Sequence, residues 1–399
     1  MRVPLLDLSE QYAALAEPIR AQIDEVLSTQ QFILGPKVEA FEAAIARYCG
    51  SPNAIGVSSG TDALLAVFMA MDLGPGDAVI TSDYSFFATG SCVARVGATP
   101  VFIDIDPVTY NLSTTALERY LTEACRRESD GSLRTPKGEK VRAIVPVHLY
   151  GLCCEMEAML EIATRFGLEV IEDAAQALGA EYRFRGTIAK AGAMGSSGTF
   201  SFYPSKNLGA AGDAGMIICQ EEAFAKRLRH CRQHGMEPRY YHHFIGGNFR
   251  LDEMQAAILG VKLPHLDEWS AARRRVADNY RIEFERLGLT DRITLPAEPH
   301  REDGLTNHHI YHQYVVRTSR RDALRDHLAR KEVGTAIYYP LALHEQECFR
   351  YLGYRAGDFP EAERAAHETL ALPMYPELSP EAVRYVVESI AEFFQGTAI

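Results

Sequence analysis

The sequence predicts an α/β protein: a mostly parallel, seven-stranded sheet covered by helices, followed by a smaller α+β domain. Two patterns and one bulk property point there. Short apolar runs of strand length alternate with helical stretches through the first 220 residues, the signature of strands joined by crossover helices. The last third of the chain changes to long helices with a few strand-like runs. At 399 residues, 47% hydrophobic and 24% charged, the chain suits one large and one smaller soluble domain with a sizeable core. The expected division is 1–255 and 256–399.

The elements read as follows. Residues 11–30 form an amphipathic helix, with Leu15, Ile19, Ile23 and Val26/Leu27 on one face. After Gly35-Pro36 a second helix covers 37–48 and stops at Gly50. Strands are expected at 54–58, 78–81, 100–105, 142–148, 168–172, 198–203 and 214–219. Helices are expected at 62–72, 86–96 and 155–166. The charged segment 126–140, R-R-E-S-D-G-S-L-R-T-P-K-G-E-K, reads as a solvated loop. In the last third, one long helix spans 255–285, and another covers 321–332. Y-H-Q-Y-V-V-R at 311–317 and G-T-A-I-Y-Y-P at 334–340 are the extended pieces.

Charge and composition remove several function classes. The formal charge of -12, from 41 basic and 53 acidic residues, repels nucleic-acid phosphates, so no nucleic-acid partner is expected. No segment approaches the roughly 18 apolar residues of a membrane span, and the N-terminus lacks a signal-peptide core. The eight cysteines are scattered without a C-x-x-C pair and read as reduced thiols. A cytoplasmic protein without membrane contact is expected. His242-His243 has no spaced carboxylate or cysteine partner, so no metal site is expected.

Four segments carry possible chemistry. In S-F-Y-P-S-K-N-L-G (201–209), Lys206 follows an apolar strand and a Pro turn, where desolvation would lower its pKa and free the amine to attack a carbonyl. A surface lysine in a loop is the plainer alternative. G-L-E-V-I-E-D-A-A-Q (167–176) ends its strand in Glu172-Asp173, a place from which Asp173 could pair with a protonated heterocyclic nitrogen; a helix N-cap is the alternative. S-S-G-T-D-A-L (58–64) opens a helix with free N–H groups and hydroxyls suited to a phosphate. It is equally an ordinary helix start capped by Thr61 or Asp62. T-S-D-Y-S-F-F-A-T (81–89) offers a ring to lie on a heteroaromatic group, or simply core packing.

Together these blocks resemble the DegT-type nucleotide-sugar aminotransferases, a pyridoxal-phosphate (PLP) family with the aspartate-aminotransferase fold. The resemblance extends over nearly the whole chain. It includes Q-F-I-L-G-P (31–36), G-P-G-D-A-V-I (74–80), G-A-T-P-V-F-I-D-I-D-P (97–107), P-V-H-L-Y-G (146–151), G-N-F-R-L-D-E-M-Q (247–255) and L-P-M-Y-P-E-L (372–378). It implies that Lys206 is the Schiff-base lysine and Asp173 the partner of the pyridine nitrogen. Gln176 matches the residue near the ring hydroxyl, and Phe86 the stacking aromatic. Gly60, Thr61 and Ser201 match the phosphate site. Asn248 matches a residue that reaches the phosphate from the neighbouring subunit, which implies a homodimer with shared active sites. His148, Tyr338, Tyr339 and His344 fall where the substrate pocket is lined. Arg239 and Arg250 are candidates for a nucleotide diphosphate, and Arg250 equally fits an ion pair between subunits.

The implied reaction moves the amino group of L-glutamate to a nucleotide-linked keto sugar in two half-reactions. A 3-keto acceptor is favoured because I-Y-Y-P-L-A-L-H (337–344) and Y-H-Q-Y (311–314) look more like the 3-amino branch. A carbocyclic amino-ring synthase and a non-catalytic PLP-binding sensor are the alternatives. Two departures from the family pattern stand out: Ala214, where glycine is usual, and the length of 126–140.

Overall fold

The computed structural model describes residues 1–396. Its centre is a sheet whose main path has seven strands: β1 (Asn53–Val57), β2 (Asp77–Ser82), β3 (Thr99–Ile103), β4 (Lys140–Val145), β5 (Glu169–Asp173), β6 (Ser197–Ser201) and β7 (Gly215–Cys219). Their order across the sheet is β1-β7-β6-β5-β4-β2-β3. The run from β6 to β3 is parallel, and β7 is antiparallel to both neighbours, β6 and β1. Buried runs such as Ala-Ile-Gly-Val on β1 and Met-Ile-Ile-Cys on β7 are what a sheet covered on both faces requires. One face packs on a core that includes Phe41, Ile45, Ile144, Met159 and Phe200; the other packs on one that includes Leu64, Val67, Phe68, Val93 and Leu228.

A second core gathers Val276, Tyr280, Phe284, Leu324, Leu328, Val383, Val386 and Ile390 around an antiparallel pair, β8 (Tyr314–Arg317) with β9 (Thr369–Leu372). Ala256, Leu259, Leu263 and Leu266, beyond the expected 255/256 division, still pack in the first core. The expected 255–285 helix is two helices, Glu253–Lys262 and Leu266–Arg286, separated by a 3-10 turn at Leu263–His265. Pro264 supplies the reason, since it has no N–H for an α-helical bond. Val3 also belongs to the second core and pairs in parallel with Val333.

The charged segment 126–140 is more ordered than a solvated loop. Arg126–Arg127 pairs antiparallel with Leu133–Arg134, Arg134 pairs with Lys140, and Leu133 is buried. Its charges remain outside while one leucine fastens it to the core.

Register at the carboxyl ends of the strands decides what the site can be. Gly215 stands between Val57 of β1 and Ser201 of β6, in register with both. A Cβ on Gly215 would meet the Ser59 carbonyl carbon at 2.4 Å and Gly60 N at 2.9 Å. Only glycine lets the turn after β1 lie down over β7. Ala214, by contrast, is buried without a positive φ, so its side chain costs nothing in backbone strain. Gly215→Ala should therefore destabilise by about 1–3 kcal/mol through backbone overpacking, whereas Ala214→Gly should cost within about 1 kcal/mol; thermal unfolding of the two variants checks this.

Candidate active site

Several chain segments meet at this end of the sheet and enclose a cavity of about 530 Å³. It is lined by the turn after β1 (Ser59, Gly60, Thr61), the segment after β2 (Ser85, Phe86) and the end of β5 (Asp173, Ala175, Gln176). The end of β6 and its loop add Ser201, Tyr203, Ser205 and Lys206, and later segments add His312 with Gln313 and Tyr338 with Tyr339. A cleft of this size at the carboxyl ends of parallel strands is where an open α/β sheet takes its ligand.

The turn after β1 starts the Gly60–Ala70 helix. Ser59, rather than Thr61 or Asp62, is the cap: its side chain accepts the Asp62 N–H at 3.0 Å. Gly60 abuts Ser201 so closely that a Cβ there would stand 2.7 Å from Ser201 Cβ. Free N–H groups at a helix start and a hydroxyl from β6 thus face one small space, an anion cradle by construction.

Asp173 is the last residue of β5 and caps no helix. Its carboxylate accepts Thr89 Oγ1–H at 2.7 Å and the Ala175 N–H at 3.2 Å. Burial pushes its pKa up, while the two hydrogen bonds and the Lys206 charge pull the other way. Lys206 follows β6 in a tight turn closed by its N–H on the Tyr203 carbonyl at 2.8 Å. Burial brings its amine down to about 8, with Asp173 opposing. A lysine so tuned is available as a neutral nucleophile and proton acceptor close to neutral pH. Gln176 is held by both ends of its amide: Oε1 accepts the Tyr150 N–H at 2.8 Å and Nε2 donates to Tyr339 Oη at 2.9 Å. Phe86 is 56% exposed, and its ring centre lies 6.0 Å from that of Tyr339.

Two expected pocket residues do not face the cavity. His148 is fully buried behind β5. It accepts the Cys154 N–H on Nδ1 at 3.0 Å, so Nε2 carries the hydrogen toward Glu172 at 2.8 Å. His344 is likewise buried, with Nδ1 donating to Asp83 Oδ2 at 2.6 Å. Burial pushes the Asp83 carboxyl up to about 6, against the pull of His344. Asn248 and Arg239 also lie off the cavity, both exposed; Arg239 stacks on Tyr240 at 4.9 Å. Arg250 is half-buried beside Val57.

Other groups entered unannounced. Thr89 orients Asp173, Asp213 lines the cavity, and His312 sits deep beside Lys206. Burial and the Lys206 and Arg273 charges hold His312 well below the usual histidine range, so it is neutral. Its Nδ1 meets Asn207 Oδ1 at 3.1 Å, while Asn207 Nδ2 donates to the Ile310 carbonyl at 3.0 Å. That orientation fixes the tautomer with hydrogen on Nδ1. The Y-H-Q-Y block contained His312, but its partner Asn207 is far away in sequence. Among the described residues no cluster of His, Cys, Asp and Glu could hold a metal ion, and no helix is long and apolar enough to cross a membrane.

Comparison with known proteins agrees with this geometry. The model of the DegT/DnrJ/EryC1/StrS aminotransferase family matches residues 14–391. The chain belongs to this family. A "pleiotropic regulatory protein" of Geobacillus stearothermophilus is 48% identical over 100% of both chains. The UDP-N-acetyl-3-dehydro-alpha-D-glucosamine 3-aminotransferase of Acidithiobacillus ferrooxidans is 38% identical over 99% of this chain and 98% of its own. The crystal structure of Streptomyces venezuelae DesV with a ketimine intermediate superposes with a TM-score of 0.89, at 37% identity and 100% coverage of both. As a DegT-family aminotransferase with the aspartate-aminotransferase-like fold, the chain uses PLP. The cavity suits that group chemically: an anion cradle, a buried carboxylate, an amide held at both ends and a lysine of depressed pKa all face it.

Three expectations follow. Capture of PLP by the cofactor-free protein should rise with pH through a midpoint near 8, where Lys206 loses its proton. Because the Asp173 charge raises that pKa, Asp173→Asn should move the midpoint lower; stopped-flow absorbance across pH measures both. His148→Ala should cost roughly 3 kcal/mol of stability by stranding one side of a buried pair, yet leave the KM for the keto substrate unchanged, as steady-state kinetics on the folded fraction would show.

Proposed function

We propose that this enzyme transfers the amino group of L-glutamate to the keto carbon of a nucleotide-diphosphate sugar, with a 3-keto sugar as acceptor. One observation carries the reading: Lys206, Asp173, Gln176, the Gly60–Ser201 cradle and an aromatic wall all face one cavity. Gly60, Thr61 and Ser201 would hold the phosphate of PLP, Asp173 its ring nitrogen, Gln176 its ring hydroxyl, and Phe86 its face. Bound PLP supplies the electron sink for the carbanion formed at the amino donor.

The protein's own groups supply the rest. Lys206 Nζ holds the cofactor at rest, then accepts the proton that leaves the donor α-carbon and delivers it on the way to product. Asp173, kept in place by Thr89 and Ala175, holds a proton at the ring nitrogen. Tyr339, whose phenol burial keeps protonated, closes the site on the Gln176 side. Both half-reactions use one cavity, so the kinetics are ping-pong.

Charge supports a homodimer with shared sites. Among the described residues Lys206 is the one cationic side chain lining the cavity, which also contains Asp173 and Asp213. A phosphorylated cofactor and a nucleotide diphosphate need more positive charge and more donors than that. The exposed segment carrying Arg239 and Asn248 also presents Tyr240, Tyr241 and Ile245 to solvent. In this reading it docks on a second copy and completes that copy's site. The 3-keto preference draws on the Acidithiobacillus relative, named for a 3-dehydro sugar. The regulatory name of the Geobacillus relative favours a second reading, a PLP-binding sensor without turnover.

The deciding experiment follows the visible absorbance of the PLP-loaded wild type and of Lys206→Ala during addition of L-glutamate, then of a panel of 3-keto and 4-keto nucleotide sugars. The wild type should bleach with glutamate and recover with 3-keto acceptors, and the variant should do neither. Recovery with 4-keto members alone would overturn the regiochemistry, and a wild type inert to every donor and acceptor would favour the sensor.

A further inference from the structure

Residues 337–344 form a strap that runs from Ile337, packed against the second core, past the cavity to Ala342 and Leu343, which pack with Tyr84 and Phe102. Tyr338 and Tyr339 line the cavity from this strap, Pro340 and Leu341 are exposed, and Ala342, Leu343 and His344 are buried again. Two adjacent residues after β2 fasten it. Asp83, whose own N–H is tied to the Ile103 carbonyl at 2.9 Å, takes the Leu343 N–H on its carbonyl at 2.7 Å. Its carboxylate takes the His344 N–H at 2.9 Å on one oxygen and Nδ1 at 2.6 Å on the other. Tyr84, fully buried, donates to the Tyr338 carbonyl at 2.7 Å and accepts the Tyr339 N–H at 2.8 Å. Tyr150 adds a hydroxyl to the same Tyr338 carbonyl. On the far side of the imidazole, Glu363 Oε1 lies 3.4 Å from Nε2.

The Asp83–His344 side chains are 0% and 2% exposed. In that setting each offsets part of the other's desolvation penalty, and neither is tolerated well alone. They touch nothing in the cavity; what they determine is where the two tyrosines stand. The strap presents phenols to the cavity and no charge. It therefore suits the uncharged ring of a sugar, whose C–H faces pack on aromatic rings, and offers little to a dicarboxylate donor.

We propose that Asp83 and His344 are positioning residues for the acceptor sugar: their buried pair, together with Tyr84, fixes the strap on which Tyr338 and Tyr339 meet it. This rests on the nucleotide-sugar reading above and assigns the sugar-facing wall of that same site. Loss of the pair lets the strap drift, and a displacement of about 1 Å in a positioning element can cost up to roughly a hundredfold.

The test uses PLP-loaded wild type, Asp83→Ala, His344→Ala and the double variant, with each half-reaction followed separately. The KM for the keto sugar should rise about tenfold or more in each single variant, with the double variant no worse than the singles because the residues act as a unit. The rate of bleaching by L-glutamate should fall by a smaller factor, because the strap reaches the cofactor-facing residues only through the Gln176–Tyr339 hydrogen bond and the Phe86–Tyr339 contact. An unchanged sugar KM, or an equal fall in both half-reactions, overturns the proposal. Should the alanine variants fail to fold, His344→Asn and His344→Gln decide: the asparagine amide can replace the Nδ1 donor and should remain near wild type, while glutamine should not. Equal KM values for those two overturn it. If the wild type accepts no nucleotide keto sugar, the nucleotide-sugar reading falls by itself. Hydrogen exchange of the 338–344 amides then tests the fastening, and protection unchanged by loss of His344 overturns it.

Discussion

Glu172 is the group on which the geometry of the site depends. It is fully buried one residue before Asp173, and its carboxylate is satisfied on all sides. The N–H groups of Gly192, Met194 and Gly195 donate to it at 2.7, 2.7 and 2.5 Å, and His148 adds a fourth hydrogen bond. A buried carboxylate is stable only when so enclosed. The result joins three pieces of chain: β5 itself, the turn that leads into β6, and the segment after β4. Because successive residues of a strand point to opposite faces, anchoring Glu172 below the sheet aims Asp173 above it. The His148 N–H on the Asp173 carbonyl, at 3.0 Å, fixes the same strand end from the other side.

Above that anchor the site needs little freedom of its own. Val57, Gly215 and Ser201 stand in register across three strands, so the anion cradle is set by sheet pairing. Asp173 is aimed by β5 and held by Thr89, and Lys206 follows directly from β6. Each reactive group therefore sits at most a few residues from a strand end, with rotamers restrained by packing. Residues 312–313 and 338–339 contribute the aromatic and amide side of the cavity, and the fastening at Asp83 and Tyr84 ties the strap to the scaffold.

Much of this was legible in the sequence because strand ends are marked by local chemistry. Apolar runs that stop at E-D, at S-S-G-T and at S-F-Y-P-S-K marked both the sheet and the positions of Asp173, Gly60, Thr61 and Lys206, and the family resemblance added Ser201. Phe86, Gln176, Tyr338 and Tyr339 also line the cavity. What was not legible depends on partners distant in the chain. His148 and His344 look like any histidine beside a pocket until Glu172 and Asp83 are seen to hold them. Thr89 and His312 carry no sign of their roles without Asp173 and Asn207 next to them. The break in the long helix at Pro264 was written plainly, but helical periodicity on both sides concealed it. In the 126–140 segment one apolar residue, Leu133, was outweighed by its charged neighbours.

The membership of Val3 in the second core has a consequence for biosynthesis. Val3 and its partner Val333 lie far apart in the chain, with the whole large sheet between them. The residues around Val3 must remain unpaired until the Val333 segment has been made, while the large sheet can already assemble. During that interval an unsatisfied edge and an apolar side chain stay open to solvent, the kind of exposed element that chaperones shield. It also couples two distant segments: a truncation that removed the Val333 segment would release the residues around Val3 as well.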